Sequence, residues 1–198
     1  MNSAFVKCWL LAVSVLSASV NLYASSLYAK SDVFQPTAML DNQQLQLCNS
    51  TDIRVMAVFN VGTAALYLQD CSIEEDTLNQ PIQLSIVYKR DFSPEDFQKS
   101  AYTLLQRNLS EAQFSAIEGE LQRFNSNYQA MTKGERYDIC YSDNTGLLLQ
   151  KNGALISQSQ SAQLGQSYFQ IWFGKRPFSK ALKRKLLKGT SKNALFPR

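Results

Sequence analysis

The chemistry open to this chain is limited first by a residue type that is missing. None of its 198 residues is histidine. That excludes Ser-His-Asp and Cys-His nucleophile systems and every histidine-containing metal site. A general base would have to be a carboxylate, Lys, Tyr or Cys. Arg54 is the side chain best suited to binding. A guanidinium at the mouth of an apolar cleft clamps a carboxylate through two parallel hydrogen bonds, which suits a fatty acid or another amphiphilic acid. The same arginine on an exposed strand face would simply pair with Asp52 or Glu74. Gly62-Thr63-Ala64-Ala65 also reads two ways. Its small residues either leave room for a ligand or let a helix pack closely on a sheet.

The four cysteines are Cys8, Cys48, Cys71 and Cys140. Cys8 falls in an N-terminal segment with three parts: Lys7 as the positive start, an apolar run from Cys8 to Val20, and Leu22-Tyr23-Ala24 before Ser25. This pattern predicts a secretory signal peptide over 1–24, too short in its apolar run to span a bilayer, and a periplasmic or secreted product. Without it the net charge is (20 − 1) − 16 = +3, too small to indicate a nucleic-acid partner. Three cysteines then remain, so a four-thiolate zinc site is not available, and neither a metal nor a cofactor is expected. Cys48 and Cys71 flank the 53–68 strand pair at its outer ends. A disulfide between them is expected, with Cys140 left as a buried free thiol.

The elements that must position these residues follow from periodicity and turn chemistry. Residues 25–42 read as an irregular lead-in, and 43–189 as one domain followed by a 190–198 tail. Residues 43–48, 53–59, 62–68, 82–88, 137–141, 147–150 and 154–157 read as strands, with Asn49-Ser50-Thr51-Asp52 as a turn and Asn152-Gly153 as a hairpin turn. Ser93-Pro94-Glu95-Asp96 and Ser110-Glu111-Ala112-Gln113 are helix starts. Ser161 caps a helix over 162–173, and Ser179 a last short helix. Strands, two helices, three strands and two more helices predict an α+β fold: an antiparallel sheet with helices packed on one face.

Three stretches carry a family resemblance. They are Leu47-Cys48-Asn49-Ser50-Thr51-Asp52-Ile53-Arg54 followed by Val61-Gly62-Thr63-Ala64-Ala65-Leu66-Tyr67-Leu68; Ile86-Val87-Tyr88-Lys89-Arg90-Asp91-Phe92; and Asn152-Gly153, Phe169 to Gly174 and Leu182 to Leu187. In this order and spacing the chain resembles the chalcone isomerase-like family, and in particular its exported bacterial members. The family includes plant isomerases that cyclise chalcones, and fatty-acid-binding members. In the isomerases an arginine, a threonine, a tyrosine, an asparagine and a Ser/Thr shape a hydrogen-bonded cleft. The resemblance puts Arg54 at the arginine, Gly62 at the threonine, Phe97 at the tyrosine, Leu104 near the asparagine and Gly165 at the Ser/Thr. A developing oxyanion needs preorganised donors, each worth about 2.7–4 kcal/mol, and four of these five positions have none.

The resemblance therefore implies the fold without the activity. The expected function is a non-catalytic binder of a small amphiphilic or fatty acid, whose carboxylate meets Arg54. Its cleft would be bounded by Gly62, Thr63, Leu66, Phe97, Ala101, Leu164, Tyr168 and Trp172. The competing readings are an intramolecular lyase of the chalcone isomerase kind and an envelope interaction protein without a small ligand. Lys180, Lys183, Arg184, Lys185 and Lys188 on the last helix could touch an anionic membrane surface. A solvated face suiting the negative helix end is the favoured reading of them.

Overall fold

The computed structural model describes residues 33–55, 58–72 and 80–188. The segment 1–24 assigned to export, Glu74 and the 190–198 tail lie outside these residues. Seven strands form one antiparallel sheet in sequence order: β1 (Thr37–Leu40), β2 (Gln43–Val55), β3 (Phe59–Leu68), β4 (Ile82–Tyr88), β5 (Arg136–Ser142), β6 (Gly146–Lys151) and β7 (Ala154–Ser159). Strict alternation gives the sheet two faces. Ala64, Leu66 and Leu68 of β3, Ile82, Leu84 and Ile86 of β4, and Tyr137, Ile139 and Tyr141 of β5 join the main core under the helices. Ala65, Tyr67 and Cys140 lie on the reverse face with Phe34, Leu40 and Leu45. There Asp138, almost fully buried, accepts from Ser85 Oγ at 2.5 Å and from Arg136 Nε at 2.9 Å.

Helices cover the first face: α1 (Pro94–Asn108), α2 (Glu111–Asn125), α3 (Ala162–Tyr168), α4 (Gln170–Phe173) and α5 (Lys180–Leu186). Ser93 and Ser110 each start their helix with a reciprocal capping box, to Asp96 and Gln113. Ser161 and Ser179 cap α3 and α5 through their hydroxyls. These four serines occupy the positions read from the sequence. Among the described residues no helix is long and apolar enough to cross a membrane.

Three local readings need correction. The lead-in is not wholly irregular, because residues 37–40 pair with 43–46 as β1, turning at Asp41 and Asn42, both with positive φ. Asn49-Ser50-Thr51-Asp52 is not a turn but the middle of β2, paired with Leu66 to Thr63 across the ladder. Partner-strand hydrogen bonds there outweigh the local preference of these short polar residues for turns. The 162–173 helix breaks at Phe169, where α3 ends and α4 begins.

Cys48 and Cys71 form a disulfide, with Cα atoms 5.4 Å apart, and Cys140 is free and buried. Burial pushes the Cys140 thiol far above its ordinary range, so it is not nucleophilic. The disulfide closes a separation of 23 residues. Cys48→Ala/Cys71→Ala should therefore lose roughly 3 kcal/mol in denaturant unfolding. In the native wild type, Cys140 should resist thiol reagents until the protein unfolds.

Candidate functional site

A cavity of about 670 Å3 opens at one end of the helix-covered face. Its strand wall is Ile53, Val61, Ile86, Tyr137 and Ile139; its helix wall is Phe97, Ala101 and Leu104 of α1 with Ile171 and Trp172 of α4. The mouth is formed by Val55, Phe59 and Phe178, all partly exposed, together with Arg90. The cavity walls are mostly apolar, as in small-molecule sites of this size.

Phe97 is the hub of the aromatic lining. Its ring stacks on Tyr128 at 5.2 Å and meets Tyr137 edge-on at 5.2 Å and Tyr88 at 5.4 Å. Such interlocked rings cannot rotate independently, which holds the cavity open. Most of their hydroxyls are committed elsewhere. Tyr137 donates to the Gln129 carbonyl at 2.6 Å and accepts from its N–H at 2.9 Å. Tyr128 shares a hydrogen bond with Tyr168 at 2.7 Å, and Tyr168 donates to Asn125 Oδ1 at 3.1 Å. Tyr88 lines the cavity, and among the described residues its hydroxyl has no hydrogen-bond partner. Burial pushes the Tyr88 phenol well above its ordinary pKa, so it stays a neutral donor.

The polar groups lie toward the mouth. Arg90 lies over the Phe59 ring, its Cζ 5.3 Å from the centroid. It forms no ion pair with a described residue. The nearby carboxylates are committed to local backbone: Asp91 accepts from Lys133 N–H at 3.0 Å, and Asp96 closes the Ser93 capping box. Arg90 is thus the cation at the cavity without a carboxylate of its own.

Of the residues read from the sequence as bounding a cleft, the structure brings Phe97, Ala101 and Trp172 to the cavity. Leu66, Leu164 and Tyr168 are fully buried in the core beside it. Thr63 Oγ1 donates to Asp52 at 3.2 Å instead. Arg54 also departs from expectation: its half-exposed side chain lies 3.9 Å from Asp52, and it does not line the cavity although its neighbours Ile53 and Val55 do. Asp52 in turn accepts from Lys89 Nζ at 2.9 Å, which, with Asn60 and Thr63, lowers its pKa to about 2. Arg90 and Tyr88 line the cavity although neither is among the residues expected from the sequence to bound it. The alternation of Ile82, Leu84 and Ile86 already put Tyr88 on the inward face, so this position was legible.

Gly62 and Gly165, which the resemblance set at donor positions, are both tightly enclosed. A Cβ on Gly62 would lie 2.7 Å from the Val87 carbonyl oxygen of the neighbouring strand. One on Gly165 would lie 2.1 Å from the Tyr141 ring. The space that a hydroxyl side chain would need is filled by backbone in one case and an aromatic ring in the other.

A family model described as chalcone isomerase-like matches residues 29–188. The chain belongs to the chalcone isomerase-like family. No curated protein sequence matches it. Among solved structures it is similar to the crystal structure of an Arabidopsis thaliana fatty-acid binding protein, with a TM-score of 0.54 and 12% identity over 79% of this chain and 92% of that one. At that identity the likeness establishes the fold, which is the α+β arrangement of sheet and helices described above. Within this chalcone isomerase-like fold, Phe97 and Leu104 add apolar surface to the cavity, Gly62 and Gly165 do not line it, and its polar lining is Tyr88, Tyr128, Tyr137, Arg90, Asp91, Asp96 and Ser100.

Two outcomes follow. Gly165→Ser should lower stability by about 1–3 kcal/mol in denaturant unfolding, because the Tyr141 ring must move; an unchanged midpoint would show that the ring yields freely. The depressed pKa of Asp52 stabilises the fold above the unfolded carboxylate's pKa near 4, and this contribution is lost as pH falls through about 2. Solvent screening keeps it to no more than about 1 kcal/mol. Thermal melts of wild type and Asp52→Asn should therefore converge as pH is lowered from 5 toward 2.

Proposed function

We propose that the protein is a non-catalytic, extracytoplasmic binder of a small amphiphilic acid, most simply a fatty acid. The apolar cavity of about 670 Å3 carries this reading. It accepts a hydrocarbon tail along Ile53, Ile86, Ala101, Leu104 and Ile171, while Arg90 at the mouth meets the carboxylate. Burying the tail supplies affinity at about 25 cal/mol per Å2 of apolar surface, and the guanidinium supplies the preference for an acid. The structural likeness to a fatty-acid binding protein supports the ligand class. The Lys7, Cys8–Val20 and Ala24 pattern supports export, as does the Cys48–Cys71 disulfide, which persists in oxidising compartments. The crowded glycines at positions 62 and 165 support binding without cyclisation chemistry.

Titration with a long-chain carboxylic acid and with its methyl ester tests the reading. The acid should bind more tightly than the ester. A charged hydrogen bond is worth about 1.5–3 kcal/mol, so Arg90→Ala should weaken acid binding roughly 10–150-fold and leave ester binding nearly unchanged. Arg54→Ala, outside the cavity, should match wild type. Equal affinity for acid and ester, or a loss confined to Arg54→Ala, would remove Arg90 from this role. No binding of either would remove the reading itself.

A further inference from the structure

The mouth of the cavity gathers exposed apolar side chains that the binding of one small molecule does not require. Among the described residues seven large hydrophobic side chains are exposed, and four belong to this one place: Val55, Val58, Phe59 and Phe178. Val58 is 73% exposed and does not line the cavity at all. It projects from the turn between β2 and β3, so its apolar surface faces outward. Phe178 stands on the connection between α4 and α5 and lines the same cavity as Val55 and Phe59. This connection is fixed rather than loose: Arg107 donates to the carbonyls of Arg176 and Pro177, Asn108 accepts from Arg176 N–H at 2.7 Å, and Phe178 N–H donates to Ile171 at 2.7 Å.

Charge accompanies the apolar patch. Residues 174–188 contain seven Lys or Arg and no Asp or Glu. Of the seven, only Lys183 is drawn inward, donating to the Phe173 and Gly174 carbonyls at 2.5 and 3.0 Å; the others are exposed. Lys175 and Arg176 precede Phe178 with only Pro177 between, and Lys180 follows it after Ser179. Asp91 and Asp96 at the mouth are held by backbone N–H groups, of Lys133 and in the Ser93 capping box. Exposed rings flanked by cations in a segment without carboxylates are complementary to a bilayer surface, where apolar side chains enter the acyl boundary and cations meet lipid phosphates.

We propose that this face docks on an anionic lipid bilayer with the cavity mouth against the membrane. The docking surface stands on its own geometry. Its use rests on the reading of the cavity as a binding site: a ligand could then pass between bilayer and cavity along a continuous apolar path without crossing water.

Sedimentation with vesicles tests the proposal. Purified protein should sediment with phosphatidylcholine vesicles containing phosphatidylglycerol, much less with phosphatidylcholine alone, and less as salt is raised. Val58→Asp, and separately Lys175→Glu/Arg176→Glu, should each lower the partition about tenfold or more, while both variants bind a soluble carboxylic acid as wild type does. Leu155→Ser, which removes an exposed apolar side chain on β7 away from the mouth, should sediment as wild type. No sedimentation by wild type, or equal losses in Leu155→Ser and the mouth variants, would overturn the docking face. Sedimentation that responds to the mouth variants in a protein that binds no acid would keep the docking face and remove the binding reading instead.

Discussion

An empty space in a protein core is expensive, and this fold contains a large one. At about 24 cal/mol per Å3, a sealed void of about 670 Å3 would cost on the order of 16 kcal/mol, more than the whole stability of an ordinary domain. The cavity must therefore be open or filled, and the rest of the structure accommodates this. Five helical segments cover the apolar side of a seven-stranded sheet, but α4 stops after four residues at Gly174. What remains uncovered is bounded by rings that cannot collapse inward. Phe97 stacks on Tyr128, both meet Tyr137 edge to face, as does Tyr88, and the hydroxyls of Tyr128 and Tyr137 are tied to the helix and loop behind them.

The strand that forms the cavity's edge is secured from outside. β2 carries the disulfide at Cys48, and beside it Asn49 Nδ2 donates to the carbonyls of Leu186 and Lys188, satisfying the C-terminal end of α5. The C-terminal end of α5, the β-bulge that shifts the register between Leu47 and Asn49, and the covalent link thus meet at adjacent residues of one strand. Held there, β2 can run past the end of the helical layer and present Ile53 and Val55 to the cavity.

That same bulge explains what could and could not be read from the sequence. Period-two alternation and serine caps located most strands and four of the five helix starts, because both are local rules. Facing is not local. Before the bulge, Leu45 and Leu47 lie on the reverse face; after the register shift between Leu47 and Asn49, the odd-numbered Ile53 lies under the helices. One unannounced residue inverts the parity of everything beyond it. Arg54 is therefore turned away from the position that its neighbours suggest. No comparable break interrupts β4, so Tyr88 faces where alternation puts it. On α1, Phe97 and Ala101 were legible because helical spacing continues undisturbed from the Ser93 cap. Arg90 left no periodic signal, since it lies just past the end of β4; its proposed role rests on the free position it holds among committed carboxylates.

The two glycines bear on the proposal that this chain binds without catalysing. Stabilising a developing oxyanion requires donors placed at particular atoms, and each missing donor costs about 2.7–4 kcal/mol of transition-state stabilisation. Holding an apolar tail requires only volume and surface, which many side-chain combinations supply. At Gly62 the Val87 carbonyl oxygen, and at Gly165 the Tyr141 ring, take up the space a side chain would need. Restoring a hydroxyl at either position would require repacking of the sheet or the α3 contact, a coupled change that single substitutions do not make. The cavity, by contrast, depends on aliphatic and aromatic positions that exchange for one another at modest cost. The physical asymmetry runs one way: such a site loses oriented donors easily and regains them with difficulty, while its capacity to enclose an apolar molecule survives.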